Sequence, residues 1–445
     1  MLTEREIRRI LDAVLAHSRA DQTEALLFES DSALTRFANN EIHQNVAERD
    51  ASLLVRVVFG KKIGVASLNR TDEAGARLVV DRACELARFQ VENEDFQGLP
   101  GPHPVPPADG YAEGTAAFSP EDRARGVAVV VRRSMENGLV AAGAFSTSVG
   151  QVAISNSLGA FCHHSSTHSE LSTVIMSEDS SGYAGQLAKD ARDIDYETVA
   201  RVAVDKALLG RNPQPLPPGE YEVVLDEHAV CDVVDFFAYL GFGAKAVQDG
   251  RSFMSGHMGE RVLGENVSIW DDGSAPDTIP MPFDYEGVPR QRVDLIKDGQ
   301  AAGIVYDTTT AAKDGKQSTG HALPAGSTFG AVPAHMHMAT GASTKEELIA
   351  SVRRGIWITR FWYTRTVHPL SITVTGMTRD GTFFIEKGEI VGPVRNLRFT
   401  QSYVEALSNT DLIGRETTLE HDFLGYNRVP AVKIAKWNFT GATEY

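Results

Sequence analysis

Cysteine is scarce in this chain of 445 residues: Cys84, Cys162 and Cys231 stand far apart and odd in number. Such a set builds no disulfide framework, and no C-x-x-C pair suggests zinc. Basic runs are missing as well. Lys plus Arg total 43 against 59 for Asp plus Glu, a net charge of −16. That balance repels phosphate backbones, so nucleic acid is excluded as a direct ligand. No apolar run approaches the ~18 residues of a membrane span. The opening "MLTEREIRRILDAVLAH" is charged throughout and lacks the apolar core of a signal peptide, so the expected location is the cytoplasm, with no membrane partner. Four catalytic signatures are also absent: H-E-x-x-H, G-x-S-x-G, G-x-x-x-x-G-K-[ST], and a G-x-G-x-x-G between strand and helix.

What is present is an ordinary globular composition, 42% hydrophobic and 23% charged, at a length that suggests two or three domains. Thr3 and Glu6 form a capping box ahead of an apolar stripe of Ile7, Ile10, Leu11, Val14 and Leu15, which predicts a first helix. Alternating segments follow, with a tight hairpin at "GKKIG", then a helix with Thr71 as N-cap. Five prolines in "GLPGPHPVPPADGY" rule out regular structure there. These features divide the chain into an N-terminal α+β domain (1–97), a Pro-rich connector (98–111) and a middle α+β part (112–211). A mainly antiparallel β domain (221–445) completes it. The fold class is α+β: mixed α/β first, then a mostly antiparallel β C-terminal domain with a few helices. Within that last domain, turns are expected at "TRDG" and "EKGE", and a helix capped by Ser343 and Glu346.

Three clusters carry chemistry-bearing side chains. In "HAVCDVVDFFAYL", His228, Asp232, Asp235 and Tyr239 fall on one helical face, and Val230, Val233, Val234, Phe237 and Leu240 on the other. This is the amphipathic pattern of a surface helix with a solvated or interface face; a metal site would need ligands from elsewhere. In "PAHMHMATG", His335 and His337 share one side of a strand, a two-ligand arrangement for zinc or iron, with His321, His368 or a carboxylate as third ligand. In "FCHHSSTHSE", His164, Ser166 and His168 line one strand face beside Cys162, which reads as a polar face rather than a Cys/His nucleophilic pair.

The order and spacing of several segments resemble the TldD/TldE family, whose second member is also called PmbA. They are "TRFANNEIHQNVAERDASLLVRVVFGKKIGVAS", "GRSFMSGHMGERV", "DLIKDGQAAGIVYDTTTAAKDGKQSTGHA", "STKEELIASVRRGIWIT" and "TGMTRDGTFFIEKGEIVGPVRNLRF". The TldD member of that family resembles a metallopeptidase with a helical H-E-x-x-x-H motif completed by a late cysteine. Here the three motif positions become Asp235, Phe236 and Leu240, and no cysteine follows Cys231. Phe236 cannot act as a general base, and Leu240 cannot ligate zinc. The resemblance therefore implies a TldE/PmbA-like chain that binds no cofactor itself and pairs with a zinc-bearing TldD-type subunit. Its substrates would be unfolded or short peptides, in peptide maturation or antitoxin degradation. A homodimer, a self-contained metallohydrolase using His335 and His337, and a gyrase-modulator-type regulatory scaffold are the alternatives.

Overall fold

The computed structural model describes residues 1–421 and 423–442. Two sheets organise it. The first is antiparallel and runs Lys62–Leu68, Glu41–Phe59, Gln22–Ala38, Val140–Asn156, Phe161–Met176, Ser181–Ala188. Its halves repeat one pattern of helix, three strands and helix. The first copy is flanked by Glu4–His17 and Glu73–Phe89, the second by Pro120–Glu136 and Tyr196–Leu209. The first strands of the two copies pair at the centre, so a single sheet spans both sides of the coil segment 98–111.

Matching glycines let strand and helix touch in each copy. A Cβ at Gly64 would lie 2.0 Å from the Ala83 carbonyl oxygen, and one at Gly182 would lie 2.2 Å from that of Ala203. The four long helices cover one face of the sheet, with Leu11, Val79 and Val80 over Leu27 and Val55 in the first copy. Val127, Val130, Val199 and Ala203 do the same in the second. The opposite face turns towards the C-terminal domain: Phe28 packs on Tyr285, and the His164 Nε2 pairs with the Pro280 carbonyl at 2.8 Å.

In the C-terminal domain five strands close on themselves: Gly219–Leu225, Arg354–His368, Thr373–Glu386, Leu397–Ser402 and Tyr426–Ala442. Closure comes from Gly219–Leu225, which pairs parallel with Arg354–His368 and antiparallel with Tyr426–Ala442. The helix Glu227–Leu240 leaves this strand directly and shares one core with Ile356, Ile358, Val432 and Trp437.

Several local expectations shift. Asp72, not Thr71, caps the second helix, and Thr344 with Glu347, not Ser343 with Glu346, caps the helix Lys345–Ala350. Competing oxygens one residue apart make such caps hard to assign from sequence. "EKGE" is a true hairpin turn, with Lys387 and Gly388 at φ 53° and 81°. "TRDG" is not. The strand Thr373–Glu386 runs through it, kinked where Asp380 and Gly381 take φ 55° and 140°, and its register with Arg354–His368 shifts opposite.

The two glycine contacts make a direct prediction. Gly182→Ala forces strand and helix apart and should lower stability by about 1–3 kcal/mol. Gly150→Ala, where the nearest atom is Ser166 Oγ at 3.7 Å, should leave the melting temperature unchanged. Equal melting of both variants would contradict this.

Candidate functional site

The helix Glu227–Leu240 is buried continuously from Ala229 to Ala238, almost three turns. The solvated face expected from its periodicity is therefore not there: Tyr239 is exposed and His228 half-buried, but Asp232 and Asp235 lie inside. Periodicity finds the polar face; only the packing of other strands decides whether water reaches it. Each buried carboxylate is met by donors from elsewhere in the chain. Asp232 accepts from Thr364 Oγ1 and Tyr403 Oη, both at 2.7 Å. Asp235, 1% exposed, accepts from Asn427 Nδ2 at 2.6 Å and from the Phe423 amide at 3.2 Å. Phe236 stands edge-on between Tyr403 and Phe423, and Leu240 packs against the main core.

Beside the first turn of this helix a cavity of about 270 Å³ opens between the barrel and strand Ser181–Ala188 of the first sheet. Among its lining residues, His228 Nδ1 lies 2.6 Å from Glu420 Oε2. Tyr183 sits edge-on to the His228 ring, and the Arg360 guanidinium covers the other side of Tyr183. Burial, then the charges of Glu170 and Glu420, raise the Tyr183 hydroxyl well above its ordinary range. Burial and Glu420 raise Glu170 too. Nearby, His168 Nδ1 meets the Tyr426 hydroxyl at 3.1 Å, and burial, with His421, pushes that imidazole down to about 4. Glu420, Arg360, Tyr183 and Asn427 were not candidates in the sequence. They join the site only through tertiary contacts, and nothing in their local pattern marks them.

The other sequence candidates separate. The strand Met336–Met338 begins after His335, whose Nε2 meets the Ile279 carbonyl at 3.0 Å. His337 stacks on Trp270 and approaches Asp277 at 3.4 Å. His321 is held by Asp271 at 2.8 Å, and exposed His368 pairs with Ser371. His164 and His168 do share a face beside Cys162, but that face lies against the C-terminal domain rather than water. Cys162 itself is buried, and burial with Asp284 pushes its thiol up to about 11, far from a thiolate nucleophile.

A catalytic zinc ion needs three protein donors that converge on one point. Of Asp235, Phe236 and Leu240, the positions that the resemblance sets against the H-E-x-x-x-H pattern, Phe236 and Leu240 have no donor atom. Asp235 has its oxygens turned to Asn427 and Phe423. Among the described residues no three His, Cys, Asp or Glu side chains converge to hold an ion. The residues of this helix do not fit zinc.

A duplicated antiparallel sheet packed on a barrel with a buried helix is the fold of the TldE proteins. The structure superposes on TldE of Thermococcus kodakarensis with a TM-score of 0.89 at 19% identity, covering 98% of this chain and 100% of that one. The sequence matches the PmbA/TldA metallopeptidase domain 1 over residues 23–87, the central domain over 111–211 and the C-terminal domain over 218–441. The chain belongs to the PmbA/TldD family. It is 22% identical over 447 residues to metalloprotease PmbA of Escherichia coli O157:H7, covering 95% of this chain and 94% of that protein. To an uncharacterized protein of Methanocaldococcus jannaschii it is 27% identical over 279 residues, 60% of this chain and 62% of the relative. It spans about half of several other curated relatives, among them a TldD homolog of Haemophilus influenzae, 27% identical over 48% of that protein's length.

Two outcomes follow for the site. Asn427→Leu strips a donor from a buried carboxylate and should cost about 1–3 kcal/mol; Asp235→Leu in the same chain should recover part of that loss in urea unfolding. His168, depressed to about 4 from 6.5, is neutral when folded, so its contribution to stability is complete above about pH 6.5. That contribution is lost as pH falls towards 4. The stability difference between the native chain and His168→Gln should therefore change between pH 6.5 and 4 and stay flat above; a flat difference throughout would contradict the assignment.

Proposed function

We propose that this chain is the TldE/PmbA-like, non-catalytic subunit of a cytoplasmic TldD/TldE-type metallopeptidase that acts on unfolded or short peptides. The observation that carries the reading is the helix Glu227–Leu240. Its motif positions hold Asp235, Phe236 and Leu240, and each is committed to internal packing or hydrogen bonds. The zinc and the general base would then belong to a TldD-type partner. This chain would shape the substrate chamber, and extended peptides would pair with its strand edges.

The test is cleavage of an unstructured peptide by the purified chain, by a TldD-type partner, and by the two together. The expected result is no turnover by this chain alone and chelator-sensitive turnover by the mixture. Chelator-sensitive cleavage by the lone chain would overturn the proposal.

A further inference from the structure

The first sheet ends differently on its two sides. At one edge Ser181–Ala188 abuts the C-terminal domain, where Ser181 Oγ donates to Asp380 Oδ1 at 2.6 Å. Towards the other edge, Glu41–Phe59 pairs with Gln22–Ala38 along its inner side from end to end. Its outer neighbour, Lys62–Leu68, reaches no farther than Leu53. Among the described residues no strand lies against the outer side of Glu41–Ser52.

That leaves an open edge about 40 Å long. Every residue from Glu41 to Asp50 is exposed. Alternate residues of such an edge aim their N–H and C=O outwards without a partner, and edges are usually blunted by proline, lysine or a covering segment. The stretch "EIHQNVAERDAS" has no proline, glycine or lysine, and its one irregularity is the register shift opposite Arg36 and Phe37.

The edge is also held in place from behind. Asn39 and Asn40, at φ 53° and 63°, close the hairpin tightly, and the Asn40 side chain accepts from the Ala141 amide at 2.7 Å and donates to the Leu139 carbonyl at 3.0 Å. Asn45 Oδ1 accepts from Thr35 Oγ1 and from the buried Arg123, at 3.2 and 3.3 Å. Asp50 accepts from Asn69 Nδ2 at 3.2 Å. These contacts use side chains, so the outward backbone groups stay open and already ordered for a further strand.

Charge narrows what that strand is. Glu41, Glu48 and Asp50 outnumber Arg49, which is itself turned to Asp31. Two copies of this edge side by side would set acid against acid, so a second copy of the chain fits poorly. A strand that carries Lys or Arg complements it.

We propose that the outer edge of Glu41–Ser52 binds an extended peptide segment bearing Lys or Arg, which joins the first sheet as an added strand. The choice of a peptide rests on the peptide-handling reading above, and the two can fail separately. Cleavage by the two-chain mixture without peptide binding at this edge sinks only the edge; binding here without cleavage by the mixture sinks only the reading.

The experiment is calorimetric titration of the full chain with a short blocked peptide of alternating Thr and Lys. Two controls accompany it: the same peptide N-methylated at alternate residues, and a version with Glu in place of Lys. The Lys peptide should bind, and both controls should bind roughly tenfold more weakly or not at all. Glu48→Lys, at an exposed position, should weaken the Lys peptide about threefold, with circular dichroism reporting its fold. The comparison of plain and N-methylated peptide on the native chain stands even if that variant fails to fold. No binding of the Lys peptide, equal binding of its N-methylated form, or an affinity unchanged in folded Glu48→Lys overturns the proposal. A dimer of the lone chain in sedimentation that Glu48→Lys dissolves assigns the edge to a second copy and overturns it as well.

Discussion

A helix buried on every side has to satisfy its polar groups from within the protein, and the rest of this structure is arranged around that requirement. Glu227–Leu240 carries three buried aspartates at or near its core-facing turns. Each draws its partners from distant parts of the chain. Asp226, at the N-cap, accepts from Trp357 Nε1 at 2.7 Å and pairs with Lys345 and with Lys206 of the second N-terminal copy. Asp232 binds a barrel strand and the helix Tyr403–Ser408. Asp235 binds the strand Tyr426–Ala442. Removing any one partner leaves a carboxylate short of donors in a region that water does not reach, which is why such networks are costly to break.

The same logic holds where the two sheets meet. The inner face of the first sheet is mixed: Leu26, Ile154 and Cys162 pack with Phe283 of the C-terminal domain, and polar groups of the two parts meet around them. Arg56 links Glu24 on its own sheet to Glu286 in the loop above, at 2.7 and 3.2 Å. Asp284 in that loop, raised to about 7 by burial and by Glu286, holds its place through backbone amides. The interface thus combines apolar contacts with charge pairs and hydrogen bonds, and the small cavity beside His228 and Glu420 lies within it. The helix Glu227–Leu240 is a structural hub, its carboxylates facing protein donors from distant strands and helices.

Much of the fold is legible in the sequence. The Thr3–Glu6 capping box forms as expected, because cap chemistry is local. The hairpin at Gly60 likewise follows from a glycine at φ 60°. The repetition of the N-terminal motif left no fixed period in the sequence, since the two copies share shape and two glycine contacts rather than residues. The "TRDG" kink reads as a turn from the same Asp-Gly pair that makes real turns elsewhere; strand pairing on both sides, a long-range fact, turned it into a bulge. The candidate site was legible in part. The helix itself follows from its apolar periodicity, whereas the fate of its polar face depended on Thr364, Tyr403 and Asn427, more than a hundred residues away.

Whether this helix holds an ion separates a structural role from a catalytic one. The most direct measurement is elemental analysis of the untagged chain purified alone, with metal counted per protomer. The account predicts a value near zero, since Asp235, Phe236 and Leu240 offer no open donor set. A value near one, persisting through dialysis, would contradict it.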